Sequence, residues 1–256
     1  MATYQRRGYK KSADAEIEIV NPENDANSTT AEVFNTLDET ANKSEQWVEK
    51  NSKPLLIGLV VAVVGIFGYM GYNQFVVAPK EKEASNALVF AKQQFSQANN
   101  AGDKDLFTKS LEGADGNYGL LDIADNYGST NAGNLAKYYA GLSYINLGEY
   151  ATAVEYLSEV ATNDAVLNTI VNGAIGDAYL AQANNQEAFA AYSKAAELSD
   201  NNAVAPVYLL KAGKVALALN NATEAQNKFA TIKNDFPKSN EAKNIDLYIN
   251  QAKYNN

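Results

Sequence analysis

The sequence contains no cysteine and no histidine. That excludes disulfides, thiolate nucleophiles and the Cys/His spacings of structural zinc sites, and it removes the usual general base of neutral pH. It says nothing of compartment, since a chain without thiols is indifferent to redox conditions. Basic charge is also short: 21 Lys and Arg stand against 30 Asp and Glu, a formal net charge of −9. An acidic chain of this kind is a poor direct partner for nucleic acid or for an anionic lipid surface. No nucleophile elbow, phosphate loop, metal spacing or calcium loop is present. Asp103-Lys104-Asp105 alternates in charge but lacks the Gly and distal Glu of a calcium loop, and it reads as a solvated turn. The expectation is a protein without enzymatic activity and without a cofactor.

Charge is missing altogether from one long stretch. Leu55 to Val77, LLIGLVVAVVGIFGYMGYNQFVV, has no charged residue. About 20 apolar residues cross a bilayer core of ~30 Å, so this length predicts a transmembrane helix over 54–78. Gly58, Gly65, Gly68 and Gly71 are tolerated in membrane helices, and Tyr69, Tyr72 and Phe75 gather at one end, where amphipathic rings suit the headgroup level. The run starts too late and is too long for the apolar core of a cleaved signal peptide. Its small residues Gly58, Ala62, Gly65 and Gly68 either pack against partner helices or face lipid.

Residues 1–28 read as a disordered tail, basic at Arg6, Arg7, Lys10 and Lys11, then acidic and Asn-rich. Over 29–52, Thr29 and Glu32 form a capping box. Phe34, Leu37, Ala41, Ser44 and Val48 share one face of a helix ending near Asn51-Ser52. This juxtamembrane helix would lie in the membrane interface or dock on another membrane subunit. Lys43, Lys50 and Lys53 before the span nearly balance Lys80, Lys82 and Lys92 after it, and the four basic residues of the tail tip the orientation to tail inside, domain outside.

The region 80–256 has few strand signals and a repeated pattern. Gly141, Gly176 and Gly213 are each followed twelve residues later by Ala153, Ala188 and Ala225. Four residues beyond each Ala stands a large residue, Leu157, Tyr192 or Phe229. Small residues at such points let two antiparallel helices approach, and the large one fills the space beside them. This resembles the tetratricopeptide (TPR) repeat, with clear repeats over about 135–238 and a C-terminal cap helix over 239–254. The second copy departs from it with Asn184-Asn185 at the turn, and the third with Ala216 where Tyr is usual. Ahead of the repeats, Ala84, Leu88, Ala91 and Phe95 share a helix face, and Leu106 to Tyr127, containing LLDIADNY, reads as its partner helix. The fold class is thus all-α: a single N-terminal transmembrane helix followed by a TPR-like helical solenoid.

Registering the repeats on their glycines predicts a groove along the first helices. It takes Tyr138, Leu142, Ile145 and Asn146 from the first, Asp177 and Leu180 from the second, and Leu210, Lys214 and Leu217 from the third. These residues would bind an extended or helical protein segment, or else touch the neighbouring helix of the same chain. Tyr138, Leu142 and Asp177 stand where carboxylate-gripping TPR domains carry Lys and Asn, which argues against capture of a terminal carboxylate.

The layout and the stretch LLDIADNYGSTNAGNLAKYYAGLSYINLGEYATAVEYL resemble the YfgM-type TPR proteins of the bacterial inner membrane. That resemblance implies an ancillary subunit of the Sec translocon, with the N-terminus cytoplasmic and the domain periplasmic. Its implied partners are translocon subunits, a membrane-anchored prolyl isomerase or chaperones, and nascent secretory chains, with lipid met only through the anchor. A TPR scaffold of another envelope machine in secretion, division or outer-membrane assembly has the same topology. A cytosol-facing import receptor would have the reverse.

Overall fold

The computed structural model describes residues 29–198 and 201–254, so the expected disordered tail over 1–28 lies outside it. Helix dominates the described residues, which makes the fold all-α despite one hairpin of two-residue strands. It divides into two units, Met1–Gly68 and Tyr69–Asn256.

The described part of the first unit belongs to helix α1, Thr29–Tyr72. The side chains of the capping box at Thr29 and Glu32 lie outside the described residues. The helix does not end near Asn51-Ser52; it runs on through Pro54. A proline inside a helix removes one backbone bond and crowds the preceding turn. Here polar side chains just before it turn back on the ladder: Asn51 Nδ2 donates to the Trp47 carbonyl at 2.7 Å and Ser52 Oγ to the Glu49 carbonyl at 2.9 Å. The carbonyl that Pro54 leaves without a backbone donor is that of Lys50, so these bonds stand beside the gap and do not fill it. Among the described residues one helical stretch is long and apolar enough to cross a membrane, and none of its most apolar window is buried.

In the second unit the helix widens into a single π turn, Asn73–Val77, and resumes as α2, Ala78–Ala101. The Ala78 N–H bonds the Asn73 carbonyl, five residues back. Pro79 explains this, because it offers no N–H to the Phe75 carbonyl and its ring crowds that turn. The inward face of α2 is Ala84, Leu88, Ala91, Phe95 and Ala98, all buried. It ends at Gly102, whose φ of 66° only glycine adopts freely.

The expected partner helix over Leu106 to Tyr127 is broken in two. Helix α3, Lys104–Glu112, gives way to β1, Gly113–Ala114, and β2, Asn117–Tyr118, before α4, Leu120–Tyr127. Asp115 and Gly116 both have positive φ, the requirement of a two-residue hairpin turn, and an Asp-Gly pair meets it. LLDIADNY is α4 itself, with Leu120, Ile123, Ala124 and Tyr127 buried.

Three helical hairpins follow: α5 and α6 (Asn131–Leu147, Tyr150–Ser158), α7 and α8 (Ala165–Ala181, Asn185–Glu197), α9 and α10 (Ala205–Ala218, Ala222–Asp235). A 3-10 turn, Glu241–Asn244, leads to the closing helix α11, Ile245–Tyr254. The repeat residues meet as their spacing requires. A Cβ on Gly141 would stand 2.5 Å from Leu157 Cγ, one on Gly176 2.6 Å from the Tyr192 ring, and one on Gly213 would overlap the Phe229 ring. Ala153, Ala188 and Ala225 are fully buried beside them. The hairpin turn keeps its shape where its residue changes: Gly148 at φ 89° is matched by Ala183 at 59° and Asn220 at 57°.

Glu81 ties α2 to the first repeat. Its carboxylate accepts from the Asn131 N–H at 2.7 Å and the Ala132 N–H at 3.0 Å, so a side chain fifty residues away caps the N-terminus of α5. A carboxylate at a helix N-terminus satisfies orphan donors and complements the dipole. Glu81→Gln is expected to cost about 1 kcal/mol and to speed amide exchange at Asn131 and Ala132, read by hydrogen-exchange mass spectrometry. Unchanged protection there would show the cap to be idle.

Candidate partner groove

The first helices of the three hairpins, α5, α7 and α9, carry all nine predicted groove residues, and the structure treats them unequally. Tyr138, Leu142 and Ile145 of α5 are half-buried and pack around Leu157, Val171 and Ala174. These are contacts with α6 and α7 of the same chain, the second of the two readings that the spacing allows. Leu210 and Leu217 are likewise half-buried, against the cluster of Phe229, Ile232, Ile245 and Ala252. Asn146 is exposed, its amide returned to the Leu142 carbonyl at 2.8 Å. Leu180 is 43% exposed, an isolated apolar side chain at the end of α7. Lys214 is exposed, with its ammonium 5.0 Å from the ring centre of Tyr248 on α11, a cation–π contact.

Asp177 is the centre of a polar cluster that links two of these helices. It accepts from the Tyr192 hydroxyl and from Lys211 Nζ, each at 2.6 Å. Lys211 also lies 5.3 Å from the Tyr192 ring centre and 5.7 Å from that of Tyr208. The two rings stack at 6.4 Å and 19°. Tyr208 fits because Gly173 on α7 has no side chain; a Cβ there would overlap its ring. The cluster therefore joins the second repeat (Asp177, Tyr192) to the third (Lys211, Tyr208). Half-exposed ion pairs are worth ~0–1 kcal/mol, so what this pair fixes is register more than stability.

Burial raises the Tyr192 hydroxyl strongly, and its hydrogen bond to Asp177 raises it further. Burial, followed by the charge of Asp177, pushes Tyr208 up to about 12. Tyr138 is raised by burial and then by Tyr139. All three stay neutral phenols at neutral pH, so formal charge along the first helices of the last two hairpins comes from Asp177, Lys211 and Lys214. Among the described residues no three acidic side chains converge as a metal site.

Lys211 and Tyr208 are not among the residues that the glycine register selects, though the sequence carries a signal for the first. Asp177 and Lys211 are opposite charges 34 residues apart, one repeat length, on equivalent helices. In a stacked array that separation brings side chains together.

Stacked helical hairpins, close-packed through Gly and Ala at fixed offsets, define a helical-repeat interaction scaffold. Residues 45–173, just over half of the chain, match the tetratricopeptide repeat-like domain, and residues 208–239 match a tetratricopeptide repeat. The chain belongs to the tetratricopeptide repeat-like domain family, and its repeats make it a protein–protein interaction scaffold. The crystal structure of a Podosopora anserina protein with nearly identical kinesin light chain TPR-like repeats is similar at 13% identity. It has a TM-score of 0.49, with 64% of this chain and 85% of that one covered. No curated protein matches the chain.

Proposed function

We propose that the protein is a single-pass membrane protein whose TPR array holds a protein segment beside a membrane machine, as an ancillary subunit of the bacterial Sec translocon. The observation that carries the anchored-scaffold reading is the unburied apolar helix that leads directly into the array. The family match begins at residue 45 and so takes in that helix together with the first repeat. In this reading residues 54–78 span the inner membrane, the N-terminus is cytoplasmic and 80–256 is periplasmic. The array contacts a membrane-anchored prolyl isomerase, chaperones or emerging chains. Its accessible groove is narrower than the nine predicted residues. Asn146, Leu180 and Lys214 face solvent, with Asp177 and Lys211 half-exposed between them, while Tyr138, Leu142, Ile145, Leu210 and Leu217 support that surface from behind.

The test is gentle extraction of the full-length protein with a C-terminal tag, followed by mass spectrometry of what co-purifies. Channel subunits and a prolyl isomerase are expected, and Leu180→Glu combined with Lys214→Glu should remove the periplasmic partner while the channel remains. A different envelope complex at stoichiometric level, with no channel subunits, would overturn the translocon assignment and leave the anchored scaffold. Reversed protease accessibility of the C-terminal domain would overturn the periplasmic placement and favour a cytosol-facing receptor.

A further inference from the structure

We infer that α1 pairs in parallel with a second copy of this chain, along one seam that passes from its polar segment into its apolar span. Positions 37, 41, 44, 48, 51, 55, 58, 62 and 65 follow alternating steps of four and three, the 3.5-residue spacing of a coiled-coil seam kept for four heptads. A helix break at Asn51-Ser52 would have divided this stripe, but α1 is continuous through Pro54, so it is one face of one helix. Among the described residues of the first unit nothing covers it. Leu37, Val48 and Leu55 are 59%, 51% and 45% exposed, and a Cβ on Gly58 or Gly65 would meet nothing within 4 Å.

Two further features fit this face to a helix and not to water. Its polar members already bond within α1: Ser44 Oγ donates to the Thr40 carbonyl at 2.8 Å, and Asn51 Nδ2 to the Trp47 carbonyl. The Ser44 hydroxyl is thereby met, and the second Asn51 N–H is left to bond across the pair. Ser44 and Val48 of the seam line a surface hollow together with Thr40, Lys43 and Trp47, a recess that a side chain of a facing helix can enter.

The length of the seam selects the occupant. From 37 to 65 it extends roughly 42 Å at 1.5 Å per residue. Its partner must therefore enter the bilayer and continue well beyond it on the same side. A second copy supplies such a helix in matching register. Gly58, Ala62 and Gly65 then meet their own counterparts, so the two backbones approach closely. Asn51 meets Asn51, a polar pair that fixes alignment. Glu45, at the edge of the seam, faces the neutral Thr40 of a second copy in a parallel pair, whereas an antiparallel pair would set acidic edges against each other.

Because the chain has no cysteine, single-cysteine variants of the full-length protein test this directly. Ala41→Cys, Ser44→Cys and Val48→Cys should form disulfide-linked dimers on mild oxidation of the purified protein in lipid bilayers. Gln46→Cys and Lys53→Cys, on the opposite face, should not. Gly58→Ile with Ala62→Ile should abolish the Val48→Cys cross-link while the protein stays in the membrane fraction. Cross-linking equal on both faces would reveal collision without a seam and overturn the proposal. So would a monomeric mass in native mass spectrometry with no cross-link at any seam position. Seam cross-links in native membranes that reach only a different protein would give the face to another occupant and overturn it equally.

Discussion

Phe229→Ala is expected to destabilise the protein by about 3–5 kcal/mol, the cost of emptying a large aromatic site that cannot collapse. Phe229 is fully buried among Leu209, Ala216, Ala225, Ile232, Ile245 and Ala252, with the Tyr248 ring centre 5.4 Å away. Its cavity would open onto Gly213, the one neighbour with no side chain to move into it. In a repeat array each unit is stabilised chiefly by its immediate neighbours. The loss should therefore appear first over α9 to α11, as faster amide exchange and an early thermal step, while α2 to α6 keep their protection. Equal loss of protection along the whole array would show that the domain unfolds as one block.

The same pair offers a check by compensation. Gly213→Ala alone should be destabilising, because the added carbon overlaps the Phe229 ring. With Phe229→Leu in the same chain the damage should shrink, since the two ring atoms that the added carbon meets first, Cε1 and Cζ, are the ones removed. Costs that simply add would mean that the two residues do not share one space.

Much of this array is legible in the amino-acid sequence, for a specific reason. Close approach of two helices demands a missing side chain on one and a large one facing it, so Gly141, Gly176 and Gly213 with Leu157, Tyr192 and Phe229 leave a trace at fixed spacing. Helix α4 is legible because a tight apolar pattern lies between glycines 119 and 128. The continuation of α1 through Pro54 is not, because Asn51-Ser52 followed by a proline is an ordinary stop signal, and local sequence does not show that the backbone runs on across it. The hairpin at Asp115-Gly116 is hidden inside a stretch whose apolar residues suit a helix on either side. For the predicted groove residues, the glycine register gives a position on the first helix of each hairpin and cannot rank exposure. Whether Leu142 lines a groove or supports it depends on how far α6 and α7 lean over it, and that is a tertiary fact. The Asp177–Lys211 contact is invisible within either helix and emerges only when charges one repeat apart are paired.

Val60→Lys combined with Val64→Lys separates two accounts of the apolar helix. Both side chains are well exposed, 57% and 64%. If the helix stood in water, two exposed lysines would be harmless or would improve solubility, since surface substitutions usually lie within about 0.5 kcal/mol. If it spans a bilayer, each lysine near the centre opposes insertion by about 2.5–3.5 kcal/mol. The expected result is loss of the protein from the carbonate-resistant membrane fraction. The amide protection of α5 to α10 should be unchanged, because it rests on the array's own buried clusters. Val60→Leu with Val64→Leu, equally large and still apolar, should remain in the membrane. A lysine variant that stays membrane-bound in the same amount would remove the anchor from the proposed function, and the array would then have to reach its membrane machine through a partner.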